Sequence, residues 1–191
     1  LSLGQLLQTS AAAPALAPAA QAVPRVLLVG THIGLVEEVD HYVERALCGL
    51  GVELRVLDIL ASSYAPKSVR RWVPGVLRKW FSPRKLLPQV DAMNDRLRNE
   101  RFVHEVETFR PQVVIALRAE RLNAESLRLA KKAQVVLINW TADIPEDYIP
   151  AQLVPLYDLW ITFDSSHRDW FITRGAKRVE YLPLACDPAE H

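Results

Sequence analysis

The sequence predicts an α/β fold, a doubly wound parallel sheet, and three observations point there. Six short runs, VLLVG (26–30), VELRVLDI (52–59), QVVIAL (112–117), QVVLINW (134–140), DLWITF (158–163) and RVEYL (178–182), are rich in Val, Ile and Leu and mostly continuous in apolarity, the pattern of strands covered on both faces. Between them lie stretches whose apolar residues recur at three- and four-residue spacing, the period of an amphipathic helix. The regular succession of strand and helix favours parallel pairing through crossover helices.

The elements follow in order. After the first strand, Leu35, Val36, Val39, Tyr42, Val43, Ala46, Leu47 and Leu50 form one helical stripe, closed by Gly49 and Gly51. Val90, Met93, Leu97, Val103, Val106 and Phe109 mark a long helix that Arg110-Pro111 stops, because a residue before proline is pushed out of the α region. The next helix is predicted over 124–132. Residues 145–156 read as a short helix or loop. Ser165 is the expected cap of a helix reaching Thr173, with Gly175 after it.

With 191 residues, half of them hydrophobic, the chain has room for one such domain and a short extra segment. No apolar run approaches the length of a membrane span. Cys48 and Cys186 share no metal-ligand spacing, which fits a reduced, cytoplasmic protein better than a disulfide framework. Residues 1–24 carry no charge before Arg25 and are rich in Ala and Pro, so they read as a linker or arm, with LGQLL a short helical candidate. They lack the positive start and compact apolar centre of a secretory signal.

The net charge of +1 hides an asymmetry. Between Asp58 and Asp91 there is no acidic residue, and Lys67, Arg70, Arg71, Arg78, Lys79, Arg84 and Lys85 fall in that gap. Setting these seven aside leaves 16 basic against 22 acidic residues, so the remainder carries −6. Residues 60–87, divided by Pro66, Pro74 and Pro83, read as a basic insertion between the second strand and the long helix. Its charges interleave with Trp72, Val73, Val76, Leu77, Trp80 and Phe81, a composition suited to an anionic membrane surface. The competing reading is apolar residues packed on the domain with their charges in water. Nucleic acid is disfavoured, because the rest of the chain is acidic.

In a sheet of this kind ligands bind beyond the carboxyl ends of the strands. After the first strand, Gly30-Thr31-His32-Ile33-Gly34 is glycine-rich but spaced GxxxG, without the GxGxxG or Lys-Ser/Thr pattern of the nucleotide loops. Its backbone amides can still meet an anion, and His32 is either a polar loop residue or a general base. After the third strand, Arg118 and Glu120 are ligand contacts or a solvated charge cluster. After the fourth, Trp140-Thr141-Ala142-Asp143 leads into Glu146, Asp147 and Tyr148; an aromatic with carboxylates can stack on a ring and hold hydroxyls. The alternative makes Trp140 core and Asp143 a turn cap. After the fifth, Asp164 or Ser165 reads as an N-cap first and a catalytic group second. The five histidines share no ligand spacing, which argues against a metal site. Paired acids after the first strand and an aspartate after the third, which a phosphoryl-transfer receiver needs, are missing from Gly30-Thr31-His32 and Leu117-Arg118.

Taken in order, RVLLVGTH, FRPQVVIALRAERL, VVLINWTADIPEDY and YDLWITFDSSHRDWFITRGAKRVEYLPLACDP resemble the N-terminal half of GT-B glycosyltransferases, in particular the spore-maturation-protein or CgeB-like group, with some likeness to glycosyltransferase family 4. The matching positions are Pro111-Gln112, where the group commonly has Pro-Asp, Trp140 to Asp143, Tyr157 to Asp164, and Gly175 to Pro188. The resemblance spans about residues 25–191. It implies a Rossmann-like, acceptor-side half of a sugar transferase that needs no divalent metal and no other cofactor, with a nucleotide-sugar donor held mainly by a second half expected after His191. It implies Gly30, Thr31, Gly34, Arg118, Glu120, Trp140, Asp143 and Asp164 as ligand-facing positions, with His32 at the loop where some inverting members carry a base. The chain alone is then expected to be inactive. Lys67, Arg70, Arg71, Trp72, Arg78, Lys79 and Trp80 remain a candidate membrane or partner surface. A non-catalytic binding module derived from such a half is the competing expectation.

Overall fold

The computed structural model describes residues 23–30, 39–59, 83–117 and 121–183, with the side chains of Val39 and of residues 83–90 outside that description. Its centre is a six-stranded, all-parallel sheet: β1 (Arg25–Gly30), β2 (Glu53–Asp58), β3 (Val113–Ala116), β4 (Val136–Thr141), β5 (Leu159–Thr162) and β6 (Val179–Tyr181). The spatial order is β2-β1-β3-β4-β5-β6. The chain therefore steps outward from β1 to β2, returns past β1 to β3, and then advances one strand at a time. This is a Rossmann-like α/β fold, and its topological switch lies between β1 and β3.

The connections are α1 (Val39–Gly49), α2 (Pro83–Phe109), α3 (Ala124–Lys132), α4 (Pro145–Tyr148) with the 3₁₀ turn η1 (Ala151–Leu156), and the 3₁₀ turn η2 (Ser165–His167) running into α5 (Arg168–Thr173). The long helix starts at Pro83, inside the stretch read from sequence as insertion; proline suits a first helical position, where no amide partner is lost. It ends at Arg110, which adopts φ 51° ahead of Pro111. Gly51, at φ 70°, turns α1 into β2, a conformation an L side chain resists. Asn123 caps α3 by accepting the Ser126 amide at 2.8 Å, and Lys131 and Lys132 stand in its last turn, where positive charge is favoured. The cap of the last helical segment is Asp164, one of the two cap candidates, Asp164 and Ser165, that the sequence offers.

Register separates the sheet into two faces. Leu27, Val114 and Leu137 are partners across three strands, Trp160 pairs with Asn139 on the same face, and these four apolar residues belong to one continuous core with Phe102, Val106 and Phe109 of α2, Leu127 and Ala130 of α3, Val154 of η1 and Phe171 of α5. Right-handed crossovers running in one direction from β2 to β6 put all these helices on that side. α1 connects strands in the opposite direction and lies on the other side, where Val43 is buried along with Val26 and Leu28, outside the main core. Trp160 anchors the core: it is inaccessible, stacks on Phe171 at 4.6 Å, meets the edge of Tyr157 at 4.8 Å and donates its indole N–H to the Val154 carbonyl at 2.9 Å. No helix among the described residues is long and apolar enough to cross a membrane.

Candidate functional site at the carboxyl edge of the sheet

All six strands end on one edge, and the switch point falls at the ends of β1 and β3. Gly30 closes β1 there. Its carbonyl accepts the Ile59 amide at 3.0 Å, and its Cα faces α1 so closely that a Cβ would run into the Asp40 carboxylate. Asp40 is only 5 % exposed. Glycine at the end of β1 thus lets a buried carboxylate on the first turn of α1 approach the sheet backbone. Asp40 was not singled out from the sequence. The signal was its place three residues before Val43, on the buried stripe of an otherwise apolar helix face. Thr31, His32, Gly34, Arg118 and Glu120 lie outside the described residues, as does the whole basic group Lys67, Arg70, Arg71, Trp72, Arg78, Lys79 and Trp80.

Beside the switch point, β4 delivers the densest polar group. Trp140 is half-buried on the α1 side of the sheet, and among the described residues its indole N–H reaches no hydrogen-bond partner. Thr141, buried, stitches the turn that follows: its hydroxyl accepts the Asp143 amide at 3.2 Å and donates to the Asp143 carbonyl at 3.3 Å. The Asp143 side chain is exposed, as are Glu146, Asp147, Ile144 and Tyr148, the last at 55 %. The fourth strand therefore ends in a rim of three carboxylates, an aromatic ring and an aliphatic side chain. On the opposite side of β4, Asn139 is 1 % exposed, donates from Nδ2 to the Ala116 carbonyl at 2.9 Å and leaves its Oδ1 without a partner. An asparagine inside an apolar strand was the signal for it.

At the end of β5, Asp164 accepts the Ser166 amide at 2.8 Å and holds η2. That backbone hydrogen bond, with help from the Ser166 side chain and the nearby His167, keeps its carboxyl below the ordinary aspartate range. Thr162 shares a hydrogen bond with His167 Nδ1 at 3.1 Å, and His167 meets the edge of Phe163 at 5.3 Å. Asp164 is thus engaged by its own backbone; Asp143 lies in the exposed rim after β4, whereas Trp140 is half-buried on the α1 side of the sheet.

The opposite end of β5 shows what the Tyr157-Asp158 pair does. Tyr157 is core. Asp158 takes two hydrogen bonds from Lys131, at 2.7 and 2.5 Å, one from Lys177 at 2.9 Å and one from the Leu137 amide at 2.9 Å. Burial pushes this carboxyl up, but the lysines and the amide outweigh it and hold it below the usual value. It ties β5 to β4, to the end of α3 and to the loop before β6.

A separate groove of about 970 Å³ runs along the helical layer, between α2, the loop and first turn of α3 that follow β3 (Arg121 to Ser126) and η1. Among the described residues no group of three His, Cys, Asp or Glu is placed to hold a metal ion. No protein-family model matches this chain, and no curated protein sequence matches it.

Proposed function

We propose that this chain is the acceptor-side half of a nucleotide-sugar-dependent glycosyltransferase of the GT-B, CgeB-like type, acting with a second half that follows His191. The observation that carries the reading is the rim after β4. Exposed carboxylates on Asp143, Glu146 and Asp147 beside the Tyr148 ring form the chemistry that holds sugar hydroxyls and stacks on a sugar's apolar face. It lies at the edge where Rossmann-like sheets bind ligands, next to the switch point that His32 follows in the sequence. In this reading His32 is the candidate base, and Thr31, Gly34, Arg118 and Glu120 are candidate ligand contacts.

The test is transfer of labelled sugar from nucleotide-sugar donors, by this chain alone and by the product of its gene extended past His191. Transfer is expected from the extended protein only, and Asp143→Asn with Tyr148→Ala should raise the acceptor KM about tenfold while leaving donor hydrolysis unchanged. Robust turnover by the 191-residue chain would refute the need for a second half. A fall in donor hydrolysis would remove the rim from the acceptor side.

A second reading has its own support. Tyr157, Asp158, Thr162 and Asp164, which carry much of the resemblance, are occupied in holding β5 and its flanks. A non-catalytic Rossmann-like interaction module would keep them for the same reason. A gene that stops at His191 and a protein without transfer activity would favour it. In both readings residues 67–85 are proposed to contact anionic membrane, a cytoplasmic peripheral association. Neutralising Lys67, Arg70, Arg71, Arg78 and Lys79 together should abolish binding to vesicles containing phosphatidylserine, and undiminished binding sinks the idea.

A further inference from the structure

The amino edge of the sheet, at the other end from the rim after β4, holds a hollow of about 400 Å³. Four of the six residues that line it are cations: Arg128, Lys131 and Lys132 of α3, and Lys177 before β6; Pro155 and Leu156 complete it. Local sequence builds it. Arg128, Lys131 and Lys132 recur at three- and four-residue spacing and so share one helix face. Gly175, at φ 86°, turns the chain out of α5 with the place of its missing side chain against Pro155, which carries Lys177 alongside α3.

Charge does not balance there. Lys131 and Lys177 both donate to Asp158 Oδ1, at 2.7 and 2.9 Å, so one carboxylate holds two ammonium groups side by side. Arg128 and Lys132 are exposed, and their side chains have no ion pair or hydrogen-bond partner among the described residues. Four cations against one carboxylate leave an excess of three positive charges. The dipole of α3 favours Lys131 and Lys132 in its last turn, but Arg128 stands before that turn and Lys177 belongs to another element.

We infer that this hollow binds a phosphoryl anion, an inorganic diphosphate or a phosphomonoester, between Arg128, Lys131, Lys132 and Lys177. A carboxylate ligand would match one of the three charges, whereas a phosphoryl group carries nearly two. The guanidinium offers a planar fork for two phosphate oxygens, and the lysines add point charges. The cavity is at the small end of ligand sites, which suits a compact anion. The paired lysines remain within reach: their side chains are 33 % and 52 % exposed, and Lys177 gives Asp158 one of its three N–H donors. The site lies across the sheet from the acceptor rim, so it stands or falls apart from sugar transfer.

The experiment titrates the nitrogen-15-labelled full chain with sodium diphosphate in about 0.15 M salt, where loose surface attraction is screened. Saturable shifts are expected at the amides of residues 128–132, 156 and 176–178. Arg128→Gln with Lys132→Gln removes no hydrogen bond or ion pair of the fold, so the thermal transition should stay in place while binding weakens about tenfold. Neutralising Lys67, Arg70, Arg71, Arg78 and Lys79 instead should leave binding unaltered. Shifts that do not saturate, that gather away from the hollow, or that keep their midpoint in the Arg128/Lys132 variant overturn the inference. Phosphatidic acid vesicles, added to the protein with residues 67–79 neutralised, separate two sources of the same group. Displacement of diphosphate assigns the hollow to a lipid head group, and undisturbed binding assigns it to a free anion.

Discussion

Trp160 and Ile161 are neighbours in β5 and face opposite ways into different surroundings. Trp160 is sealed between Tyr157 and Phe171 and satisfied by the Val154 carbonyl; Ile161 is half-buried on a face whose β3–β5 part carries comparably apolar side chains under less cover. The strands are the same on both sides, so the difference comes from topology. Four successive crossovers in one direction stack α2, α3, η1 and α5 on one face, while the single reversed crossover at β1 supplies α1 to the other. Stability should therefore be concentrated on one side of the sheet, and mutations on the two faces of one strand should measure the imbalance.

The largest effect is expected at the sealed side. Trp160→Ala removes a fully buried ring, two aromatic contacts and a buried hydrogen bond, and should cost about 3–5 kcal/mol, read as a fall in the urea midpoint. A loss below about 1 kcal/mol would mean that this core relaxes around cavities and that the two faces do not differ in packing.

How far the sequence shows this imbalance depends on what periodicity can see. The six strands are legible because buried parallel strands are apolar whatever covers them, and all six expected runs overlap the strands observed. The unequal cover is illegible for the same reason: Val114 and Ile115 look alike in sequence, and only the direction of each crossover separates them. The rim after β4 could be read from Trp140, Asp143 and their neighbours, since an aromatic with carboxylates at a strand's end is a local feature. Asp40 could not be read as readily. An aspartate in the first turn of a helix usually marks a helix start, and it becomes a buried carboxylate at the switch point only because Gly30 has no side chain beneath it.

Asp158 sharpens the comparison through charge. It lies at the start of β5 and binds Lys131 of α3 and Lys177 before β6, so it fastens the strand to its helical cover. Its carboxyl titrates below the ordinary value when folded. A carboxylate depressed in this way contributes stability above the unfolded pKa of about 3.9, and that contribution is lost as pH falls through the folded value. Asp158→Asn should therefore cost about 1–2 kcal/mol at pH 7 and little at pH 2, measured as the difference in urea midpoint between the two proteins at each pH. A difference that stays constant down to pH 2 would assign the effect to packing instead of the lysine pairs.

The smallest effect is expected at Ile161→Ala. A fully buried isoleucine costs about 2–5 kcal/mol on truncation, and a half-buried one that leaves no closed cavity should cost about 1 kcal/mol. A cost as large as that of Trp160→Ala would remove the imbalance between the faces altogether.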